Sequence, residues 1–489
     1  MKEPAEDLRT WTLAWSRRWW DPAECLLVNP PGSFDDVARP GTLHLVPNTA
    51  WFAYGLLASD DPDDHRMSVD AIHRLLDLQY DEPGAEYHGT FARFGEWPHP
   101  PARPTMWEDY DPNWRQFVGT TFALMVEDFN ERLDDIDAAL IDRMVRAIER
   151  ACRGEPDGRI PVSYSNPALM PAWLDAWCGR RTGDSQLISR GVAFARAIVE
   201  EFDRFGAFDE FNSPTYYGID LYALALWRTF SPDPFFATEG ARLEAAVWRS
   251  TGDWYHAGLR NWVGPYTRSY GPDATRTLAK LSLWVWAVCG RELAPLPHLG
   301  ARTVDHCHDL TAGPVIARLA QRPADDVCRA FASFSGPRRL TQDLAHGRHL
   351  EAVLHDDLML GAESSHHDWG GWSQFMPAVA HWRQPDGSTG VLWLDAPRKV
   401  RATVDDRILT IEAEAPGAAE PRLDLLIQST RCETSSDVLA LAGVQVVLAG
   451  HLGVAVTAPS NGGPWRLLIT PDPARAVNSV PVRLMFVAG

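Results

Sequence analysis

The sequence predicts a multidomain α+β protein: an N-terminal (α/α) toroid of paired helices over residues 1–300, then an antiparallel β-sandwich over residues 301–489. Three observations predict it. Apolar residues recur at helical spacing from about Leu8 to about Arg291. The segments that carry this spacing number about ten to twelve, each one to two dozen residues long, joined by short Gly/Pro/Asn turns. Near residue 300 the texture changes to short, β-branched or alternating runs bounded by Gly, Pro, Asp and Asn.

The helical segments follow one another in order. Two or three lie in the first part of the chain, around 49–59 and 65–79. "NWRQFVGTTFALMVEDFNERL" and "DIDAALIDRMVRAIERACRG" come next, the second with Asp at its start and Gly at its end. "NPALMPAWLDAWCGRR", "SQLISRGVAFARAIVEEFDRFG", "GIDLYALALWRTF", "TEGARLEAAVWRSTGDWYHAGLRN" and "DATRTLAKLSLWVWAVCGREL" complete the series. Helix pairs of this size cannot each bury both faces alone, so they must pack sideways. No fixed-period repeat is visible, which argues against a repeat solenoid and for a closed ring. The strand-like runs include "HLEAVLHDDLMLGAES", "STGVLWLDA", "KVRATVDDRILTIEAEA", "RLDLLIQSTR", "VQVVLAGHLGVAVTA", "WRLLITP" and "VPVRLMFVAG". Their alternation suits sheets with one face on a core.

Composition narrows the function. A chain of 489 residues exceeds one ordinary core. A formal charge of −19 argues against nucleic acid and anionic membrane as general partners, though a local Arg cluster can still bind an acidic substrate. Lys occurs only at positions 2, 280 and 399, so nearly every cation is Arg. Codon usage in a GC-rich genome accounts for such a bias; Arg also forks onto carboxylates. The 21 Trp supply core and, at the surface, stacking faces for sugars. The seven scattered Cys form no CxxC pair, and no HExxH, P-loop, GxGxxG or GxSxG occurs, so no metal and no cofactor is expected. The start "MKEPAEDLRTWTLAWSRRWW" lacks the apolar run of a signal peptide, and no run of about eighteen apolar residues exists, so a cytoplasmic location is expected. The sequence is compatible with a homo-oligomer.

Polar and aromatic residues crowd into a few turns. "EYHGTFARFGEWPHPPARPTMWEDYDPNWR" is too long and too aromatic for a simple connector; it brings His88, Arg93, Trp97, Trp107, Asp109, Asp111 and Trp114 as candidate substrate contacts. It also reads as a loop covering the ring's edge. Asn166 precedes a helix, where an N-cap is the ordinary role. In "EFNSPTYYGID", Ser213 and Pro214 suit a helix start, but Asn212, Tyr216 and Tyr217 together need another reason. "YHAGLRNWVGPYTRSYG" places Arg268 between Tyr266 and Tyr270, where a cation lowers a phenol's pKa or binds a carboxylate; a plain helix–helix turn is the alternative. "SSHHDWGGWSQF" holds His366 and His367, which on a strand point to opposite faces and do not share a metal unless a turn bends there. In "HCHD", read as a strand, His306 and His308 share a face and are expected at the surface.

Together these segments resemble the heparinase II/III-like polysaccharide lyases. That family joins a helical toroid to a β-sandwich and carries its catalytic Tyr in a Glu-x-Ser-Pro-x-Tyr type segment. "FDEFNSPTYYG" is similar in Ser213-Pro214-Thr215-Tyr216, with Glu210 one position farther out. The resemblance also implies an Asn some fifty residues earlier that neutralises the substrate carboxylate; Asn166 stands there, followed by Pro167 where the family often has His. "SSHHDWGG" is the counterpart of the family's His-rich strand. The resemblance implies β-elimination on a uronate-containing oligo- or polysaccharide. Tyr216 would be base and acid, with Tyr217 or Tyr270 in reserve. Asn166 and Arg268 would hold the carboxylate, and His366 or His367 would assist. Trp97, Trp107 and Trp114 would line sugar subsites, with His88, Arg93, Asp109, Asp111, Asn212 and Tyr266 near the substrate. The alternatives are a toroid glycoside hydrolase using paired carboxylates from Asp109, Asp111, Asp209, Glu210 and Asp220, an isoprenoid- or small-molecule-processing toroid enzyme, and a non-catalytic glycan or protein binder.

Overall fold

The computed structural model describes residues 3–33, 43–414, 423–435, 437–449, 452–459, 463–471 and 480–488. The described residues form helices α1 (Pro4–Arg17), α2 (Val46–Leu57), α3 (Pro62–Asp77), α4 (Trp114–Ile136), α5 (Leu140–Gly154), α6 (Ser165–Thr182), α7 (Ser185–Phe205), α8 (Tyr216–Thr229), α9 (Pro234–Asp253), α10 (Lys280–Cys289), α11 (Gly313–Leu319) and α12 (Asp325–Ala332). The chain divides into two compact units. One comprises residues 1–204, 218–246 and 278–322; the other comprises 205–217, 247–277 and 323–489. No helix among the described residues is long and apolar enough to cross a membrane.

The first unit is an (α/α) toroid, and its sequence explains which helices lie inside. Every residue of α2 is buried, as is α6 from Ser165 to Gly179, so these helices are apolar or small all round. Helix α5 instead buries one stripe, Leu140, Ile141, Met144, Ala147, Ile148, Ala151 and Cys152, and shows its charges outward. The inner helices α2, α4, α6, α8 and α10 are neighbours in turn. Helix α4 packs on both α2 and α6. The Trp227 indole N–H of α8 donates to Leu169 O of α6 at 2.9 Å, and Trp284 of α10 donates to Gly218 O of α8 at 2.8 Å. Lys280 Nζ of α10 lies 4.3 Å over the Trp51 ring of α2, which closes the ring. Outer helices back them: α3 on α2, α5 on α4 and α1 on α10 by packing, α7 on α6 through Arg190–Asp175, and α9 on α8 through Arg228–Glu244. The short strands β1 (Trp20–Asp21), β2 (Leu26–Val28) and β3 (His44–Leu45) form a small antiparallel sheet in this unit.

The second unit opens with the hairpin β4 (Tyr255–His256) and β5 (Asn261–Trp262). The helical reading of "DWYHAGLRN" fails here. Arg260 takes a left-handed φ of 51°, and the Asn261 side chain binds the Leu259 carbonyl, the Asp273 carboxylate and Ala274 N–H. Those side-chain bonds, two of them to residues 273 and 274, replace continuation of α9. Among the described residues the main sheet has fourteen strands: β6 (Arg338–Leu344), β7 (Arg348–Leu354), β8 (Leu358–Ser365), β9 (Ala378–Arg383), β10 (Thr389–Leu394), β11 (Lys399–Asp405), β12 (Ile408–Glu414), β13 (Leu423–Gln428), β14 (Cys432–Ser435), β15 (Val438–Leu441), β16 (Val444–Ala449), β17 (Leu452–Thr457), β18 (Trp465–Pro471) and β19 (Val480–Ala488). Their order is β14-β15-β16-β19-β12-β11-β8-β9-β10-β13-β18-β17, with β7 also pairing β8 and β6 pairing β7, all antiparallel. Strands far apart in that order, such as β16 and β18, contribute Val446, Leu448, Leu467 and Ile469 to one core, so the sheet folds over on itself as a sandwich does. Strand β11 alternates buried and exposed as a one-faced strand must.

Strands β8, β9 and β10 differ: nearly every residue is buried on both faces. Segment 255–277 covers their outer side. His381 Nε2 of β9 reaches Pro272 O at 2.7 Å, and Thr389 Oγ1 of β10 donates to Leu259 O at 2.9 Å. Gly361 of β8 is obligatory there, because a Cβ would lie 1.7 Å from Gly264 O. Tyr266 and Met376 exchange backbone bonds of 2.9 and 3.0 Å, and Ser269 N–H donates to Gln374 O at 2.8 Å. This strap carries Arg268 and Tyr270.

Candidate active site

The site in the sheet-bearing unit is assembled from three pieces of chain, 208–217, 255–271 and 363–375, with Arg348 of β7 beneath them. The turn before α8 is stitched to the strap by its own polar residues. Asn212 adopts a left-handed φ of 53°, which Asn tolerates better than most residues, and its Nδ2 donates to Val263 O at 2.6 Å and Pro265 O at 3.0 Å. Ser213 Oγ donates to Arg268 O at 2.5 Å and accepts from Tyr216 N–H at 3.1 Å, so one hydroxyl caps α8 and fixes the strap.

These clamps bring Tyr216, Arg268 and Tyr270 together. The Tyr216 and Tyr270 hydroxyls are 2.8 Å apart, and Arg268 Nη2 donates to the Tyr216 hydroxyl at 2.8 Å. Arg268 Nη1 donates to Glu210 Oε1 at 2.6 Å, and its Nε donates to Gln374 Oε1 at 3.2 Å. The guanidinium carbon lies 3.7 Å from the Tyr216 ring centroid and 5.1 Å from that of Trp372. Glu210, Arg268 and Tyr216 are buried, whereas Tyr270 is 41% exposed. The pair thus runs from a buried, cation-bound phenol to a phenol in contact with water.

Beneath it sits a second charged cluster. Arg348 of β7 forks onto Glu363 of β8 at 2.8 and 3.0 Å, and also donates to Asp209 O, Asp209 Oδ1 and Thr267 Oγ1. Asp209 and Thr267 immediately precede Glu210 and Arg268. Burial pushes the Glu363 and Asp209 carboxyls upward, and Arg348 opposes that shift in both.

The other candidates fall in various places. Tyr217 and Tyr266 are buried supports: Tyr217 meets the Phe211 ring edge-on at 6.2 Å, and the Tyr266 hydroxyl donates to Trp262 O at 2.5 Å. His366 and His367 lie past the end of β8 in an exposed loop, and the His367 ring stands 4.7 Å from Trp369. Asn166 belongs to the toroid unit, buried in the first turn of α6, with Tyr164 at the cap position it was expected to hold.

Also in the toroid unit, Trp97, Trp107, Arg93, Asp109 and Asp111 surround a cavity of about 10 Å³, room for one water. Trp107 is half exposed at a left-handed φ of 71°, Trp97 donates to Asp109 O at 3.1 Å, and burial raises the Asp111 carboxyl. Trp114 opens α4 with its ring 5.2 Å from Phe117. His88 is held below the usual imidazole range by burial.

The strand reading of "HCHD" is corrected. Cys307–Ala312 is a 3₁₀ helix, and His308 is not at the surface; burial pushes its imidazole down to about 3. The reason is the buried Lys280–Asp309 ion pair at 2.9 Å, around which this turn winds. Among the described residues, no group of three or more His, Cys, Asp or Glu could hold a metal ion.

Sequence reasoning missed Gln374, Trp372, Arg348 and Glu363 as parts of the site. The first two lie in "SSHHDWGGWSQF", where the histidines drew notice. Arg348 and Glu363 sit in ordinary strands, and nothing in a two-residue period marks a buried ion pair.

A family model matches residues 6–321, a span that contains Tyr216, Arg268 and Tyr270. The chain belongs to the family described as Domain of unknown function (DUF8769). No curated protein sequence matches it. Among solved structures, this DUF8769 member is similar to heparinase III (8% identity, 90% of this chain and 76% of that one, TM-score 0.47). It is also similar to the Streptomyces coelicolor A3 chondroitin AC lyase in complex with chondroitin sulphate (12%, 100% and 80%, TM-score 0.45). The Clostridium thermocellum endoglucanase CelQ complexed with cellotriose is a third (10%, 100% and 92%, TM-score 0.32).

Proposed function

We propose that this DUF8769 member is a carbohydrate-active lyase that cleaves a uronate-containing oligo- or polysaccharide by β-elimination, with Tyr216 as the base and acid. One observation carries the reading: the Tyr216 hydroxyl lies between the Arg268 guanidinium and the Tyr270 hydroxyl, 2.8 Å from each. A cation at that distance favours the ionised phenol, which is the form that can remove a proton from carbon. With its three nitrogens directed at Glu210, Tyr216 and Gln374, Arg268 acts on the phenol more readily than on a substrate carboxylate.

The chemistry is then a proton transfer at two points. Tyr216 as phenolate takes the C5 proton of the uronate. The electrons of the C5–H bond form the C4=C5 double bond, and the C4–O4 bond breaks. The departing O4 takes a proton from the Tyr216 phenol directly, or from Tyr270, in which case a proton then passes from Tyr216 to Tyr270 across their 2.8 Å contact; either way the pair ends as it began, with Tyr216 ionised. The enolate-like charge that develops on the carboxylate needs donors. The paired-carboxylate hydrolysis is less well supported, because Asp209 and Glu210 are both bound to arginines.

The test is ultraviolet absorbance during incubation with uronate-containing oligosaccharides. Elimination conjugates the new double bond to the carboxylate and raises absorbance; hydrolysis gives new reducing ends without it. A rise in wild type that is lost in Tyr216→Phe supports the proposal. A flat trace with new reducing ends overturns it in favour of hydrolysis.

A further inference from the structure

The turn Trp369-Gly370-Gly371-Trp372 has no role in the elimination chemistry, yet Arg268, which binds the Tyr216 hydroxyl, lies over its Trp372 ring. Gly370 and Gly371 both take left-handed φ values, 63° and 79°. Two successive residues there are costly for any side chain but Gly. The turn brings the Trp369 and Trp372 rings nearly parallel, 18° apart with centroids 6.5 Å apart, and half buried rather than swallowed by the core. Trp369 stacks in turn on Phe375 at 4.1 Å. The base of the turn is tied down by Arg398 Nε to Asp368 at 2.7 Å, Gly370 N–H to Asp368 Oδ1 at 2.9 Å, and Trp369 N–H to Arg398 O at 2.8 Å.

Each indole also has a guanidinium against it: Arg348 lies 5.1 Å from the Trp369 ring, and Arg268 lies 5.1 Å from the Trp372 ring. Gln374, two residues on, binds the same Arg268. The result is a partly exposed aromatic surface next to guanidinium and amide groups, with Arg268 linking it to the Tyr216 phenol. That combination suits a ligand with one apolar face and a rim of hydroxyls, which is a pyranose ring.

We propose that this turn is a carbohydrate-binding wall of the tyrosine site, with the Trp372 indole as the face on which a pyranose ring packs. The inference rests on the carbohydrate reading above and adds a binding residue to it. Trp372 holds the sugar; it takes no part in proton transfer.

The experiment is calorimetric titration with the same panel of uronate-containing oligosaccharides, in a Tyr216→Phe background that prevents turnover. Adding Trp372→Ala is expected to weaken binding about tenfold, and Trp372→Phe is expected to stay within about threefold, because an aromatic face remains. The Phe variant keeps the test valid if the Ala variant does not fold. Unchanged affinity in a folded Ala variant overturns the wall, as does a Phe variant weakened about tenfold. Absence of saturable binding by the Tyr216→Phe protein across the whole panel overturns it too. The two proposals fail separately. Binding that depends on Trp372 without any rise in absorbance in wild type sinks elimination and leaves the wall. Elimination with affinity indifferent to Trp372 does the reverse.

Discussion

At the scale of single residues, Arg268 decides what the site can do. Its guanidinium is buried and meets Glu210, Tyr216 and Gln374 at once, so charge, orientation and desolvation all act on one phenol oxygen. Tyr216→Phe should therefore lower turnover by roughly 10²–10⁴-fold while costing about 1 kcal/mol of stability. The check is single-turnover absorbance beside a denaturant melt. Loss of folding to the same degree as activity would make Tyr216 a structural residue. Glu210→Gln should keep the fold and shift the pH–rate profile, because removing the carboxylate leaves Arg268's full charge on the phenol. An unchanged profile would remove Glu210 from the site's electrostatics. The tyrosines and Arg268 could be named from the sequence, since "SPTYY" and "YTRSY" are polar, aromatic interruptions of apolar pattern. Gln374 could not, because it comes from a distant turn that only backbone pairing brings in.

At the scale of elements, the site depends on β7, β8 and the strap over them. Arg348 satisfies two buried carboxylates, Glu363 and Asp209, whose burial would otherwise disfavour their charge. Arg348→Met should cost about 3–5 kcal/mol, because it strands them. Adding Glu363→Leu should recover part of that loss. Urea denaturation of the single and double variants checks both, and a neutral single variant would end the idea that this ion cluster holds the site. Gly361→Ala tests the strap. With a Cβ 1.7 Å from Gly264 O, the strap must lift, costing about 3 kcal/mol and displacing Arg268 and Tyr270. Wild-type activity in that variant would show that the strap's seat on β8 does not matter. Helical period marked most helices of the toroid, and two-residue period marked the strands. The β4–β5 hairpin was read as helix because its sequence is apolar enough; the polar side-chain bonds that redirect it are made to residues a dozen positions away.

At the scale of the whole molecule, acid should unfold the protein earlier than its carboxylates alone would. His381 is held neutral by burial, down to about 4, and His308 down to about 3. Between pH 6.5 and those values the unfolded chain binds protons that the folded chain refuses, so stability falls as pH falls through that window. Glu363 and Asp209, raised by burial, contribute with the opposite sign nearer the carboxylate range. Melting temperature measured from pH 7 to 5 isolates the histidine effect. His381→Gln, which can still donate to Pro272 O, should flatten the slope. A slope identical to wild type would mean that His381 does not contribute to it.

The sequence by itself determined the kind and order of most elements, helices before strands, because spacing of apolar side chains is local information; it did not mark α11 and α12, which carry helix past residue 300 to Ala332, before the main sheet starts at Arg338. It also marked Ser213-Pro214 as the approach to a helix, which α8 bears out. Only the tertiary structure decided that residues 205–217 and 247–277 belong with the sheet, that Arg268 turns its nitrogens on Tyr216, and that Arg348 underpins both. Those facts come from pairings between residues fifty to well over a hundred positions apart. Their energy lies in burial and hydrogen-bond geometry, which no periodicity along the chain records.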